Sequence, residues 1–161
     1  MLEVLRSELA LREGRVYYKQ ETNAFTGLMV EFYQTNSLQS RSMVSNGLLN
    51  GLSEGWYTNG QLEVREFFKN GVSHGLRTKW YPDGIRMSES TLVEGKHSGT
   101  FRRWHENSTL AEEIEMRDGK PEGLSKSFYP SGFLKAQVHL TNGQPVDQHY
   151  WKDGEKKANR D

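Results

Sequence analysis

The sequence predicts an all-β protein, an antiparallel meander of tandem β-hairpins that forms one elongated, twisted or curled sheet. Three observations carry this expectation: a fixed glycine period, paired turn signals within it, and short strand-like segments between the turns. Gly27, Gly51, Gly75, Gly99 and Gly123 stand 24 residues apart, and Gly47, Gly71, Gly95, Gly119 and Gly143 each follow 20 residues later. A constant period of this length marks a repeat architecture, in which each unit leans on its neighbours.

Residues 1–26 form a lead-in with a partial repeat, 27–146 hold five full units, and 147–161 hold a further partial repeat and a C-terminal tail. Five residues after each leading glycine stands an aromatic, Phe32, Trp56, Trp80, Trp104 or Phe128. The next position reads Tyr33, Tyr57, Tyr81, His105 and Tyr129. The triplets "QTN", "TNG", "PDG", "ENS" and "PSG" then signal a three-residue turn, and Asn46-Gly47 with its four counterparts signals a second one. Segments such as Leu52 to Tyr57 enter a turn and Gln61 to Lys69 leave it, so each unit is one hairpin. The triplets "LLN" and "KPE" after the second glycine read as short loops. With the partial units "GRVYYKQ" and "YWKDG" the expected total is about 12 strands. The tail "EKKANRD" has the polar composition of an unstructured end.

Pairing across the three-residue turn places Phe32 opposite Leu38, Trp56 opposite Leu62, Trp104 opposite Leu110 and Phe128 opposite Leu134. Period-two alternation extends this apolar face through Val64, Phe68, Ile114, Met116, Ala136, Val138 and Leu140. Arg86, opposite Trp80, breaks the pattern, and Ile85 beside it points to a local bulge. The reverse face then carries Glu31, Arg41, Arg65, Lys79, Glu89, Arg103, Glu113 and Lys135, with Arg77 and Glu89 facing each other. Ser108 in place of the turn glycine puts regular curvature near that residue in question.

Composition narrows the function. The chain of 161 residues is 34% hydrophobic and 26% charged, with 21 basic and 21 acidic side chains and no cysteine. Zero net charge gives no long-range field toward nucleic acid, and none is expected as a partner. Without cysteine there is neither a disulfide nor a thiolate site. No stretch has the length and apolarity of a membrane span. The compartment stays open, cytoplasmic for a chain complete at Met1 and exported for one that has lost a leader.

No motif carries catalysis. The glycines are periodic turn residues rather than a phosphate loop, the five histidines fall at different phases of the repeat, and no serine sits in a nucleophile elbow. Glu112 and Glu113 alternate faces, as do Arg102 and Arg103, so neither pair converges on a site. The expectation is a non-enzymatic protein with no metal and no cofactor. The candidate partner-binding residues are Tyr33, Tyr57, Tyr81, His105 and Tyr129. Lying in one phase, they either stiffen the sheet by packing on the intervening strands or present a row of amphipathic anchors to a partner.

The units "GLSEGWYTNGQLEVREFFKNGVSH" and "GLRTKWYPDGIRMSESTLVEGKHS" resemble MORN-type repeats, specifically the bacterial variant found in proteins named YwqK-family antitoxins. "EGRVYYKQETNAFTG" resembles the lead-in before the first full repeat of those proteins, so the likeness covers residues 13 to about 154. The resemblance implies a protein partner neutralised by binding; MORN repeats more generally imply scaffolding or association with phospholipid surfaces. The leading expectation is therefore a scaffold for an unidentified protein partner, antitoxin-like as the resemblance implies, and the alternative is a peripheral lipid or membrane-surface module. Self-association as a homodimer would use the open edge strands.

Overall fold

The computed structural model describes residues 1–158. After β1 (Glu3–Leu5) and a single 3-10 turn come β2 (Leu9–Arg12) and β3 (Arg15–Tyr18), which form a separate two-stranded sheet. The main sheet continues through β4 (Gly27–Phe32), β5 (Leu38–Ser45), β6 (Leu48–Trp56), β7 (Leu62–Lys69), β8 (Val72–Ser73), β9 (Gly75–Trp80) and β10 (Arg86–Val93). It ends with β11 (Lys96–Trp104), β12 (Leu110–Arg117), β13 (Lys120–Phe128), β14 (Leu134–Thr141) and β15 (Gln144–Tyr150). These make a 13-stranded open sheet in chain order, antiparallel except where β1 lies parallel to β4. The all-β meander is as expected. "GRVYYKQ", however, supplies a strand of the small sheet, and "LLN" and "KPE" belong to β6 and β13 rather than to loops.

Turn chemistry sets this topology. The residues Asn46-Gly47, Asn70-Gly71, Glu94-Gly95, Asp118-Gly119 and Asn142-Gly143 all have positive φ, at 48° to 52° for the first and 73° to 83° for the second. Two successive left-handed residues are what a two-residue type I′ hairpin requires. In the other turn, Tyr57 N–H donates to Gln61 O at 2.9 Å and Gly60 N–H to Tyr57 O at 2.9 Å. Ser108 keeps that turn with φ 66°, and His105 N–H still donates to Thr109 O at 2.8 Å. Repeat four is thus regular despite its missing glycine.

Every predicted aromatic pair is in register: Phe32 with Leu38, Trp56 with Leu62, Trp104 with Leu110, Phe128 with Leu134, and Trp80 with Arg86. A bulge follows each of them. Gly55 pairs with Val64 while Trp56 pairs with Leu62, which leaves Glu63 as the extra residue, and Gln39, Met87, Ala111 and Lys135 are extra in the other units. The irregularity expected only at Arg86 is therefore a constant of the repeat.

That bulge corrects the assignment of faces, because one inserted residue reverses the side to which the rest of the strand points. Val64, Ile114, Ala136 and Val138, with Phe68, Met116 and Leu140 in the same phase, lie opposite the tryptophan face. Arg41, Arg65, Glu89 and Glu113 move onto the tryptophan face, in one row with Glu54, Thr78 and Arg102. Glu31, Lys79 and Arg103 stay on the reverse face. Arg77 pairs with Ser90, not Glu89, and its guanidinium Nε donates to Glu66 at 2.7 Å.

Chain segments pack against the sheet near both termini. At the N-terminus Val4, Phe25 and Val44 form a buried cluster against which Leu9, Val16, Tyr18, Met29 and Leu49 pack, so the β2–β3 hairpin covers the reverse face. Gly27 admits this close approach, since a Cβ there would meet Leu2 O and the Phe25 ring. At the C-terminus Leu134 N–H donates to Lys156 O at 2.9 Å and Phe133 bridges to Lys157. The tail is ordered through residue 158, contrary to its composition; the remainder of "EKKANRD", residues 159–161, lies outside the described residues.

Candidate interaction surface

The tyrosine position is a ladder of hydrogen bonds between repeats. Tyr33 Oη donates to Trp56 O at 2.7 Å, Tyr57 Oη to Trp80 O at 2.8 Å, Tyr81 Oη to Trp104 O at 2.9 Å and Tyr129 Oη to Trp151 O at 3.0 Å. His105 Nε2 takes the same place against Phe128 O at 2.9 Å. A carbonyl can only accept, so this geometry requires the proton on Nε2. All five rings are half-buried. Each hydroxyl or imidazole N–H thus ties one unit to the aromatic of the next while the ring stays partly open to solvent.

The turn beside the ladder repeats the device. Asn59 Nδ2 donates to Pro82 O at 2.7 Å while its Oδ1 accepts from Gln61 N–H at 3.0 Å, and Asn107 makes the same pair of contacts with Pro130 O and Thr109 N–H. At the opposite end of the hairpins the residue before the leading glycine accepts from the type I′ turn: Asn46 N–H donates to Thr26 Oγ1 at 2.9 Å and Asn142 N–H to Glu122 Oε2 at 2.8 Å. Sequence reading did not single out this position, whose residue types vary while sharing an acceptor.

Electrostatics fixes the surface around the ladder. Arg103 grips Glu112 with two bonds, Nε to Oε2 at 3.1 Å and Nη2 to Oε1 at 2.9 Å. Those bonds hold the Glu112 carboxyl below the usual carboxylate range against the opposing effect of burial, and the charges of Arg103, His105 and Lys135 add to them. Burial, with Glu63 and Tyr81 nearby, raises the Tyr57 phenol above its usual value. The Arg103–Glu112 pair thus stands beside the tyrosine row, and Lys135 Nζ lies 5.7 Å from the Tyr129 ring centre.

On the tryptophan face Glu54 is only 4% exposed and sits between two arginines. Arg41 Nη2 donates to its Oε2 at 2.7 Å and Arg65 Nε to its Oε1 at 2.9 Å. Burial pushes this carboxyl up, but the two guanidiniums outweigh it and hold the pKa below the ordinary value. Arg41 also lies over the Trp56 ring at 5.6 Å, as Arg86 does over Trp104 at 5.3 Å. The signal for this triad was present in the sequence, since Arg41 and Arg65 are one period apart.

Two periods beyond that triad stand Glu89, Arg102 and Glu113, in the same register and with every sign reversed. Arg102 Nε donates to Glu113 at 2.8 Å, while Glu89 pairs with Arg86 at 3.2 Å.

No curated protein matches the chain. The model of one protein family does, and it matches in two places, residues 49–70 and 121–142. Their starts are 72 residues apart, three periods of 24, so both stretches occupy one frame of the repeat. Each runs from near the start of a long strand, through the aromatic–tyrosine turn, to the next Asn-Gly. Over those two stretches the chain is similar to the family described as a MORN repeat variant, and the remaining units follow the same frame.

Proposed function

We propose that this chain is a non-enzymatic scaffold that binds a protein partner through the face carrying Tyr33, Tyr57, Tyr81, His105 and Tyr129. MORN repeats are modules that often mediate binding. The observation that carries the reading is the bonded ladder itself, because rings already anchored to the next repeat lose little further freedom when a partner covers them. Aromatic side chains with few rotatable bonds are the usual anchors of protein interfaces. The resemblance to antitoxins makes a partner neutralised by being covered the first class to examine.

Capture from a native lysate tests it, with the tagged chain compared against Tyr57→Ala/Tyr81→Ala and Tyr57→Phe/Tyr81→Phe. Since the hydroxyls are structural and the rings form the surface, the phenylalanine pair should retain the partner and the alanine pair should lose it at a temperature where circular dichroism shows both folded. Retention by the folded alanine pair would refute this surface, and liposome co-sedimentation without protein capture would refute the partner class.

A further inference from the structure

We propose that the groove beside the C-terminal segment on the tryptophan face takes an extended acidic segment of a partner protein; this rests on the reading of the chain as a protein-binding scaffold and names the chemistry of what is bound. The groove measures about 620 Å³, with Leu110, Phe128 and Leu134 as its floor and Lys126, Lys156 and Lys157 around it.

The chain's own tail supplies the precedent. Lys156 and Lys157 border this groove and are joined to the start of β14 through the main chain, Lys156 O accepting from Leu134 N–H and Lys157 bridging antiparallel to Phe133. Phe128 and Leu134 are 8% and 5% exposed, whereas Phe32, at the equivalent position of the first unit, is 44% exposed. One segment of the chain therefore already docks beside the aromatic row through main-chain contacts. The groove next to it leaves a second segment the half-buried Leu110 together with what remains open of Phe128 and Leu134.

Charge selects the segment. Glu113 also borders the groove, but its carboxylate is bonded by Arg102. Lys126, Lys156 and Lys157 make no salt bridge among the described residues, although Lys126 stands in register with Glu113. Lysine stems lie along apolar surface while their ammonium groups reach outward. An extended ligand with apolar side chains on one side and carboxylates on the other meets both features at the strand period of two.

The test is fluorescence anisotropy of the full chain with a labelled hexapeptide of alternating Glu and Leu, at about 50 mM salt, where surface charge is weakly screened. Lys126→Glu should weaken binding by about tenfold or more, whereas Lys79→Glu on the opposite face should leave it unchanged. Should Lys126→Glu shift the thermal midpoint, Lys156→Glu on the exposed strap gives the same readout. A Lys-Leu hexapeptide that binds as tightly, equal weakening by Lys79→Glu, or no saturable binding up to about 1 mM would overturn the inference. Displacement by decanoate at similar concentration would also overturn it, in favour of a small amphiphile. In lysate capture, a partner retained by Lys126→Glu but lost by Tyr57→Ala/Tyr81→Ala would overturn the groove alone and leave the scaffold standing.

Discussion

Glu54→Gln isolates the most deeply buried charge in the sheet without changing its size. The native carboxylate accepts from Arg41 and Arg65, and the amide that replaces it turns an N–H donor toward a guanidinium. Removing one member of a fully buried ion pair costs about 3–5 kcal/mol. Glu54 meets that condition, but the arginine side chains are 45% and 49% exposed and recover hydration when the carboxylate is lost. The expected loss is therefore about 2 kcal/mol, or a midpoint lowered by about 4–8 °C for a chain of this size. The pH dependence has a definite sign. The folded pKa of Glu54 is lowered, so its contribution is present above the unfolded value of about 4.5 and is lost as pH falls through the folded value. Urea unfolding followed by circular dichroism at pH 7 and pH 3 would measure both, with Glu63→Gln at the exposed bulge as control. A variant within about 0.5 kcal/mol of the parent at pH 7, or a difference that grows as pH falls, would refute this account.

Three further outcomes follow from the geometry. Tyr57→Phe and Tyr81→Phe should each cost about 1 kcal/mol, the net worth of one hydroxyl-to-carbonyl bond, in urea titration; no loss in either would mean water replaces the rung at no cost. Trp80→Ala should cost about 2–3 kcal/mol, less than a fully buried tryptophan because the ring is half-exposed, and a thermal melt that matches the parent would show that this row carries no packing energy. Ser108→Gly should raise stability by about 0.5 kcal/mol or leave it level, because a side chain at φ 66° is strained in a turn that glycine adopts freely; a clear loss by the same melt would mean the serine hydroxyl holds the turn.

The sheet was legible because its information is local and recurs. Asn-Gly at 46, 70 and 142 names a type I′ turn by residue type alone, and five copies at one spacing remove the ambiguity a single copy carries. The aromatic-to-leucine register was legible for the same reason, since a three-residue turn fixes which residues face each other. The bulge was not. Gln39, Glu63, Met87, Ala111 and Lys135 share no chemistry, so nothing in their side chains reports that one extra residue is inserted there. From that point strict alternation misplaced Val64, Arg65 and their counterparts. The inter-repeat bonds of the tyrosines were hidden too, because their acceptors are main-chain carbonyls that any residue supplies.

The reversed triad shows what these units hold constant. Arg41, Glu54 and Arg65 are replaced two periods on by Glu89, Arg102 and Glu113, so the charge at each of three positions inverts while each neighbour remains complementary. Like charges directly opposite on adjacent strands are destabilising, and a lone inversion at Arg102 would have created two such contacts had its partners kept the signs of Arg41 and Arg65. Glu89 and Glu113 avert both. The unit therefore conserves pairing across strands rather than residue type, and the same economy appears where His105 keeps the tyrosine's bond to Phe128 O and Ser108 keeps the glycine's turn. A stack of this kind tolerates wide substitution on its surface provided each change is answered one strand away.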